Sequence, residues 1–410
     1  MWRPLTLQRL TKEPTCPSNP QNTGTLTGRN VIRWTLGTAL LIGATVLCVV
    51  RWNAWFGMPA EPVWEGDTIT YRFHCFGEDS VPGFVQTPAG WQDLRQPEAL
   101  QLLLLGDVHN SMDRAQWDSI AARHTDIDAY AQLGDFVERC YFYWWQRLYA
   151  ELDSTAFADL PVMTTPGNHE YNKGLVKHLD PMWYEIFHHP ANGPVDYIGS
   201  TYYVDFPHLR FIAIDTDALR RLRDMLRVQT WLKGAIKGSG DRFVVVMMHH
   251  PVISTGAGRQ NWLIRWVFRR VLLRADLVFA GHDHNYARRL PFVDTNSAKK
   301  FYLSKLNRRD TRVASGFQMY ELLTITADTL RMRTYVTDLG ELYDDVCIVR
   351  HDDGSRETID YAAGWIEKIE LPEKYQNRTG DIKVRRFLNK RRHRMANRTT
   401  PSVHPATLEP

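Results

Sequence analysis

Cysteine is scarce in this chain of 410 residues: five are present, and no two have the short spacing of a zinc ribbon or a Cys-x-x-Cys redox motif. A disulfide framework and a thiolate metal centre are therefore excluded as organising features. Cys75, Cys140 and Cys347 read as buried thiols, with one bridge among them as the alternative in an oxidising compartment. A strong charge of either sign is also lacking. The formal net charge is +4, with the basic excess at the two ends of the chain, so specific nucleic-acid binding is not expected. No internal repeat is present, which excludes a solenoid. With 44% hydrophobic and 12% aromatic residues, there is ample material for a globular core.

Long apolar runs are lacking, with one exception. Trp34–Val50 is seventeen residues without a charge, bounded by Arg33 and Arg51 and flanked by Trp34, Trp52 and Trp55. As a helix it reaches roughly 25 Å, just enough to span a bilayer. A buried core helix would seldom be bounded so sharply. A signal peptide rarely has so long a leader or lacks a small-x-small cleavage site. The expectation is an uncleaved transmembrane anchor over 34–52, preceded by a cytoplasmic segment 1–33. Arg3, Arg9, Lys12, Arg29 and Arg33 precede the span, whereas Glu61, Glu65 and Asp67 follow it, which places the bulk of the chain outside, periplasmic or extracellular. The basic run from Lys383 to Arg398 would suit an anionic leaflet if the orientation were reversed, but reads first as a solvated tail.

Residues 53–98 show no sustained period and read as a linker and irregular lead-in. Short apolar runs then recur at Leu102–Leu105, Ala129–Gly134, Phe211–Asp215, Phe243–Met248 and Ala275–Gly281, the pattern of strands buried on both faces. Helical stretches lie between them at Asp113–His124, Tyr141–Leu152 and Gln229–Lys237. Phe301–Leu303, Phe317–Thr324 and Leu330–Val336 alternate more nearly at period two, as antiparallel strands of a second sheet do. The α/β domain is expected over 99–350, followed by a C-terminal extension 351–410. This alternation alone suits a doubly wound sheet as well as a two-sheet sandwich.

Each strand-like run ends in residues able to bind hard or borderline cations, and ligands collect beyond the carboxyl ends of such strands. The blocks are Gly106-Asp107-Val108-His109, Gly134-Asp135, Gly167-Asn168-His169-Glu170, His249-His250-Pro251 and Gly281-His282-Asp283-His284. Singly they are weak, since a strand-end Asp is often a cap and a histidine pair is often structural. Together, five blocks of oxygen and imidazole donors after apolar runs point to a metal centre.

That order resembles the calcineurin-like metallophosphoesterase superfamily over about residues 102–290. The stretch Phe279–Arg288 and the His249-x-Pro251 block are most similar to its purple-acid-phosphatase branch. The resemblance implies a two-sheet β-sandwich flanked by helices. It also implies one metal held by Asp107, His109 and His284, a second by Asn168, His249 and His282, and Asp135 as the bridge. His169 is similar to the family's non-ligand histidine beside the reacting phosphate. His250 is left a supporting or substrate-side role, because the family's ligand stands two residues before the proline. Two ions about 3.5–4 Å apart offset the charge by which a phosphoester resists hydroxide and lower the pKa of water for in-line attack. The donor set favours Fe, Mn or Zn.

Two departures separate the chain from its nearest branch. Glu138 stands where that branch carries a tyrosine ligand, and His109 where it usually lacks histidine, so a coloured Fe(III)-tyrosinate centre is not expected. Gly134-Asp-Phe-Val-Glu-Arg139 is similar to the signature of serine/threonine phosphoprotein phosphatases, making Arg139 a candidate phosphate clamp, with Cys140 in place of that signature's glycine. The expected function is membrane-anchored hydrolysis of phosphomonoesters or phosphodiesters, from a phosphorylated small molecule, nucleotide or lipid. The alternative is a non-catalytic tethered module for an anionic partner, whose signature, a missing ligand, is not found.

Overall fold

The computed structural model describes residues 72–398 except 174–176, 308, 379 and 381, all within a compact unit beginning at Val63. The described chain starts with β1 (Phe84–Thr87), β2 (Gly90–Asp93), β3 (Leu100–Leu105), α1 (Arg114–Arg123), β4 (Ala129–Gln132), α2 (Phe142–Leu152), β5 (Val162–Thr164) and α3 (Met182–Ile186). It continues through β6 (Tyr202–Asp205), β7 (Leu209–Ile214), α4 (Leu222–Lys237), β8 (Phe243–Met248), α5 (Trp262–Leu272), β9 (Leu277–Ala280), β10 (Tyr286–Arg289) and β11 (Phe292–Asp294). Then come β12 (Arg312–Ser315), β13 (Met319–Ile325), β14 (Thr329–Val336), β15 (Glu341–Arg350), β16 (Arg356–Asp360), β17 (Lys368–Ile369), α6 (Glu373–Gln376) and α7 (Ile382–Arg398).

Successive side chains of a strand face opposite ways, and here both faces are buried. Leu102 and Leu104 of β3 enter one core, while Leu103 and Leu105 enter another with Trp117 and Ile120 of α1 and Trp145 and Leu148 of α2. Phe243, Val245 and Met247 of β8 join the core of Leu102 and Leu104, whereas Val244, Val246 and Met248 pack on Val228 and Leu232 of α4 and Val267 and Phe268 of α5. The result is two sheets face to face with helices on both outer faces. One sheet runs β16-β15-β14-β13-β3-β4-β5 and the other β17-β12-β10-β11-β9-β8-β7-β6. β3, β4 and β5 are parallel, as are β7, β8 and β9, so their carboxyl ends point the same way within each sheet. The flanking helices are fixed locally. α1 begins in a capping box, with Gln116 N donating to Asp113 Oδ1 at 3.1 Å and Asp113 N to Gln116 Oε1 at 3.2 Å.

Three expectations require correction. Phe301–Leu303 forms no strand: Tyr302 instead packs on the His284 ring, with centroids 4.7 Å apart. The lead-in is not wholly irregular, because β1 and β2 pair as an antiparallel hairpin. The sandwich also continues past residue 350, with β16 pairing with β15 and β17 with β12. Cys75, Cys140 and Cys347 are buried and unbridged. Among the described residues no helix is long and apolar enough to cross a membrane; the expected anchor at 34–52 lies outside them.

Candidate metal centre

The five blocks meet beyond the strand ends. Asp107 and His109 follow β3, Asp135 follows β4, and Asn168 and His169 follow β5; from the other sheet, His249 follows β8, and His282 and His284 follow β9. One donor atom from each of Asp107, His109, Asp135 and His284 lies within 4.8 Å of the others, and so do donors of Asp135, His249 and His282. Asp135 belongs to both groups. His284 Nε2 lies 2.8 Å from Asp107 Oδ2, His109 Nε2 3.5 Å from Asp135 Oδ2, and His249 Nε2 3.3 Å from the same Oδ2.

Backbone carbonyls decide which ring nitrogens face inward. A carbonyl only accepts, so His284 Nδ1 donates to Lys300 O at 2.9 Å and His249 Nδ1 to Leu133 O at 3.0 Å. Their Nε2 lone pairs are thereby aimed at the carboxylates, the orientation that metal-ligating histidines take from an outer acceptor. His109 Nε2 and His284 Nε2 stand 3.1 Å apart. Two lone pairs at that distance repel unless a cation or a proton lies between them. Asp107 and Asp135 are both buried, and among the described residues no Lys or Arg is paired with either. Burial alone would raise both carboxyls, yet facing imidazoles hold them below the usual range, chiefly His284 for Asp107 and His249 for Asp135. These residues fit divalent cations: the carboxylates need positive charge, and the imidazoles need an acceptor for their lone pairs.

The site is built from strained backbone. His109, Asp135, His282 and His284 have φ of 53°, 54°, 67° and 50°, the left-handed region, which costs side-chain-bearing residues roughly 1 kcal/mol or more each. Glycine permits the close approaches. A Cβ on Gly281 would overlap Asp107 Oδ1, and one on Gly167 would overlap Asp135. Asp107 Oδ1 also accepts from His282 N at 2.8 Å, which ties the two sheets together at the cleft.

Of the other anticipated residues, His169 packs edge-on against His109, ring centroids 4.4 Å apart, and its Nδ1 donates to Glu138 O at 2.5 Å. Burial holds its ring below the ordinary histidine range. Asn168 is half-buried beside it. His250 turns its Nδ1 to Thr216 Oγ1 at 3.0 Å and packs on the His282 ring at 4.3 Å, outside both donor groups. Burial and then the neighbouring His249 push its ring down to about 3. Arg139 has a buried Nη1 with no hydrogen-bond partner among the described residues.

Three further contributors carry no assigned role in the sequence reading. The Glu170 carboxylate accepts from Asp135 N at 2.8 Å, Phe136 N at 2.9 Å, Val137 N at 3.3 Å and Gly167 N at 2.7 Å, locking the loops after β4 and β5 together. Burial, then Asp135, raises it to about 7. Glu138 Oε2 lies 3.3 Å from His109 Nδ1, giving that ring a carboxylate behind it. Arg259 places Nη2 2.8 Å from His282 Nε2, its Nε 3.2 Å from Asp283 Oδ1, and its guanidinium over Tyr302. Glu170 was legible as the acid closing its block; Arg259 comes from a loop with no motif at all.

The two sheets thus face each other, with a cleft of carboxylates and imidazoles at their strand ends. Residues 100–286 match the family model for calcineurin-like phosphoesterase, and the chain carries that domain. Comparison with solved structures finds the same fold in purple acid phosphatase PPD1 from yellow lupin (Lupinus luteus) seeds, at 15% identity and TM-score 0.50. That match covers 63% of this chain and 55% of the lupin chain, so this chain spans little more than half its length. PhoD matches at 12% identity and TM-score 0.48, over 76% of this chain and 81% of that one. GAP50, the anchor in the inner membrane complex of Plasmodium, matches at 14% and 0.47, over 68% and 99%. No curated protein matches.

Proposed function

We propose that this protein is a dinuclear metal-dependent hydrolase of phosphomonoesters or phosphodiesters. The observation that carries the reading is the membership of Asp135 in both donor groups, as a bridging carboxylate requires. Asp107, His109 and His284 would hold one ion, Asn168, His249 and His282 the other, each Fe, Mn or Zn. When bound, two such ions neutralise phosphoester charge and activate water.

The chain's own residues do the rest. His169, neutral through burial and fixed by Glu138 O, would take a proton from solvent at Nε2 as phosphoester charge enters and pass it to the leaving oxygen. Arg139, with its partnerless Nη1, and Arg259 supply guanidinium contacts for a phosphoryl group, while His250 buttresses His282 from the side. Phosphorylated small molecules, nucleotides and lipids all suit such a cleft. Residues 34–52 are proposed as the membrane anchor, with the N-terminus cytoplasmic and the catalytic domain outside, on the strength of the apolar run and its flanking charges. The test is hydrolysis of a generic aryl phosphate by the full chain with added Mn²⁺ or Zn²⁺. Equal turnover by Asp135→Ala or His169→Ala protein would overturn the proposal.

A further inference from the structure

Helix α5 buries one face and leaves the other without a partner among the described residues. Ile264, Val267, Phe268, Val271 and Leu272 pack inward. The opposite face presents Trp262 and Trp266, 66% and 68% exposed, with Leu263 and Leu273 nearly half exposed. Large apolar residues so placed are not needed for the core, and two tryptophans one turn apart on a surface helix call for an occupant.

Charge indicates which. Arg265, Arg269, Arg270 and Arg274 all lie on or beside this helix, and no Asp or Glu occurs between His249 and Asp276. The Arg265 guanidinium lies over the Trp262 ring, 5.3 Å from its centroid. Aromatic rings and leucines interleaved with arginine on one helical face are the composition that seats a helix in the plane of a bilayer interface. The rings enter the headgroup–acyl boundary and the guanidinium groups meet lipid phosphates. We infer that the exposed face of α5 docks on an anionic lipid bilayer.

The position of the helix gives this contact a consequence for the cleft. Arg259, at His282, precedes Trp262 by three residues, no more than about 11 Å of chain. A bilayer against α5 therefore lies beside the metal cleft, where phosphoesters of membrane lipids would be presented. The docking surface does not depend on the phosphoesterase reading, nor on whether 34–52 spans.

The test places a nitroxide at Leu263→Cys, which keeps both tryptophans and every arginine, in full-length protein with Cys16 and Cys48 replaced by serine. Collision rates with oxygen and with a water-soluble nickel chelate are then measured on vesicles of phosphatidylcholine alone and with phosphatidylglycerol added. With phosphatidylglycerol, oxygen access should rise and nickel access fall. The change should be reversed by about 1 M NaCl, where the Debye length is about 3 Å. It should also be absent in Arg265→Glu/Arg270→Glu protein of unchanged Tm. A label at Val85→Cys, on β1, should report water on both vesicles. A label at 263 that reports water on both vesicles overturns the inference. So does one that is immobilised without gaining oxygen access, which would mark a macromolecular partner instead.

Discussion

Asp107 and His284 meet with Oδ2 2.8 Å from Nε2, although each follows a strand of a different sheet. The metal centre therefore sits on the seam of the sandwich, and its geometry depends on the alignment of the two sheets as much as on the ligands.

Glu170 holds four backbone amides of the loops that carry Asp135 and Asn168. Glu170→Gln should lower metal affinity by about 10-fold or more, the usual effect of losing a residue that orients ligands. Elemental analysis after dialysis against graded chelator checks this, with far-ultraviolet circular dichroism expected to be unchanged.

Arg259 touches a proposed ligand through His282 but completes neither donor group. Arg259→Ala should raise KM for an aryl phosphate about 10-fold, the loss of one charge-assisted contact, and lower metal affinity as well, because His282 loses the donor that orients it. Arg259→Lys should recover part of it, as a point charge without the planar fork. Steady-state kinetics with metal analysis of the same samples gives the answer.

The buried Glu321 carboxyl is pushed up to about 8, by burial first, despite the hydrogen bond from Thr295 Oγ1 at 2.6 Å. The folded protein thus keeps a proton that the unfolded chain releases in the ordinary glutamate range. The contribution is fully present below about pH 4.5 and is lost as pH rises toward 8, at about 1.4 kcal/mol per pH unit. Urea unfolding between about pH 5 and 8 should show Glu321→Gln gaining stability relative to wild type as pH rises.

Phe279 lies between the two sheets, fully buried. Phe279→Ala should cost about 3–5 kcal/mol and lower metal occupancy as the seam loosens. The drop in urea midpoint measures the first effect and elemental analysis the second.

Much of this was legible in the sequence, for physical reasons that differ by element. β8 occupies Phe243–Met248, the full apolar run, because a strand buried on both faces needs an apolar residue at every position. The same property hid the layering. Leu102 and Leu103 face different cores, yet nothing in a continuous leucine run says so, and the sandwich was expected only through the family resemblance. The metal blocks were legible because each closes a strand. Arg259 was not, because its neighbours His282, Asp283 and Tyr302 are assembled by tertiary folding. Phe301–Leu303 misled because Tyr302 turns onto the His284 ring and Leu303 packs with Val313 and Phe387, so that its apolar residues serve tertiary contacts instead of a ladder.

In the proposed phosphoesterase centre one carboxylate, Asp135, unites two ions. The most direct measurement is metal content and aryl-phosphate turnover on the same preparations of wild-type, Asp135→Ala and His169→Ala protein. Two ions per chain and turnover are expected for wild type, loss of both ions and turnover for Asp135→Ala, and two ions with turnover reduced about 100-fold or more for His169→Ala. Wild-type turnover without bound metal, or undiminished turnover in Asp135→Ala protein, would contradict it.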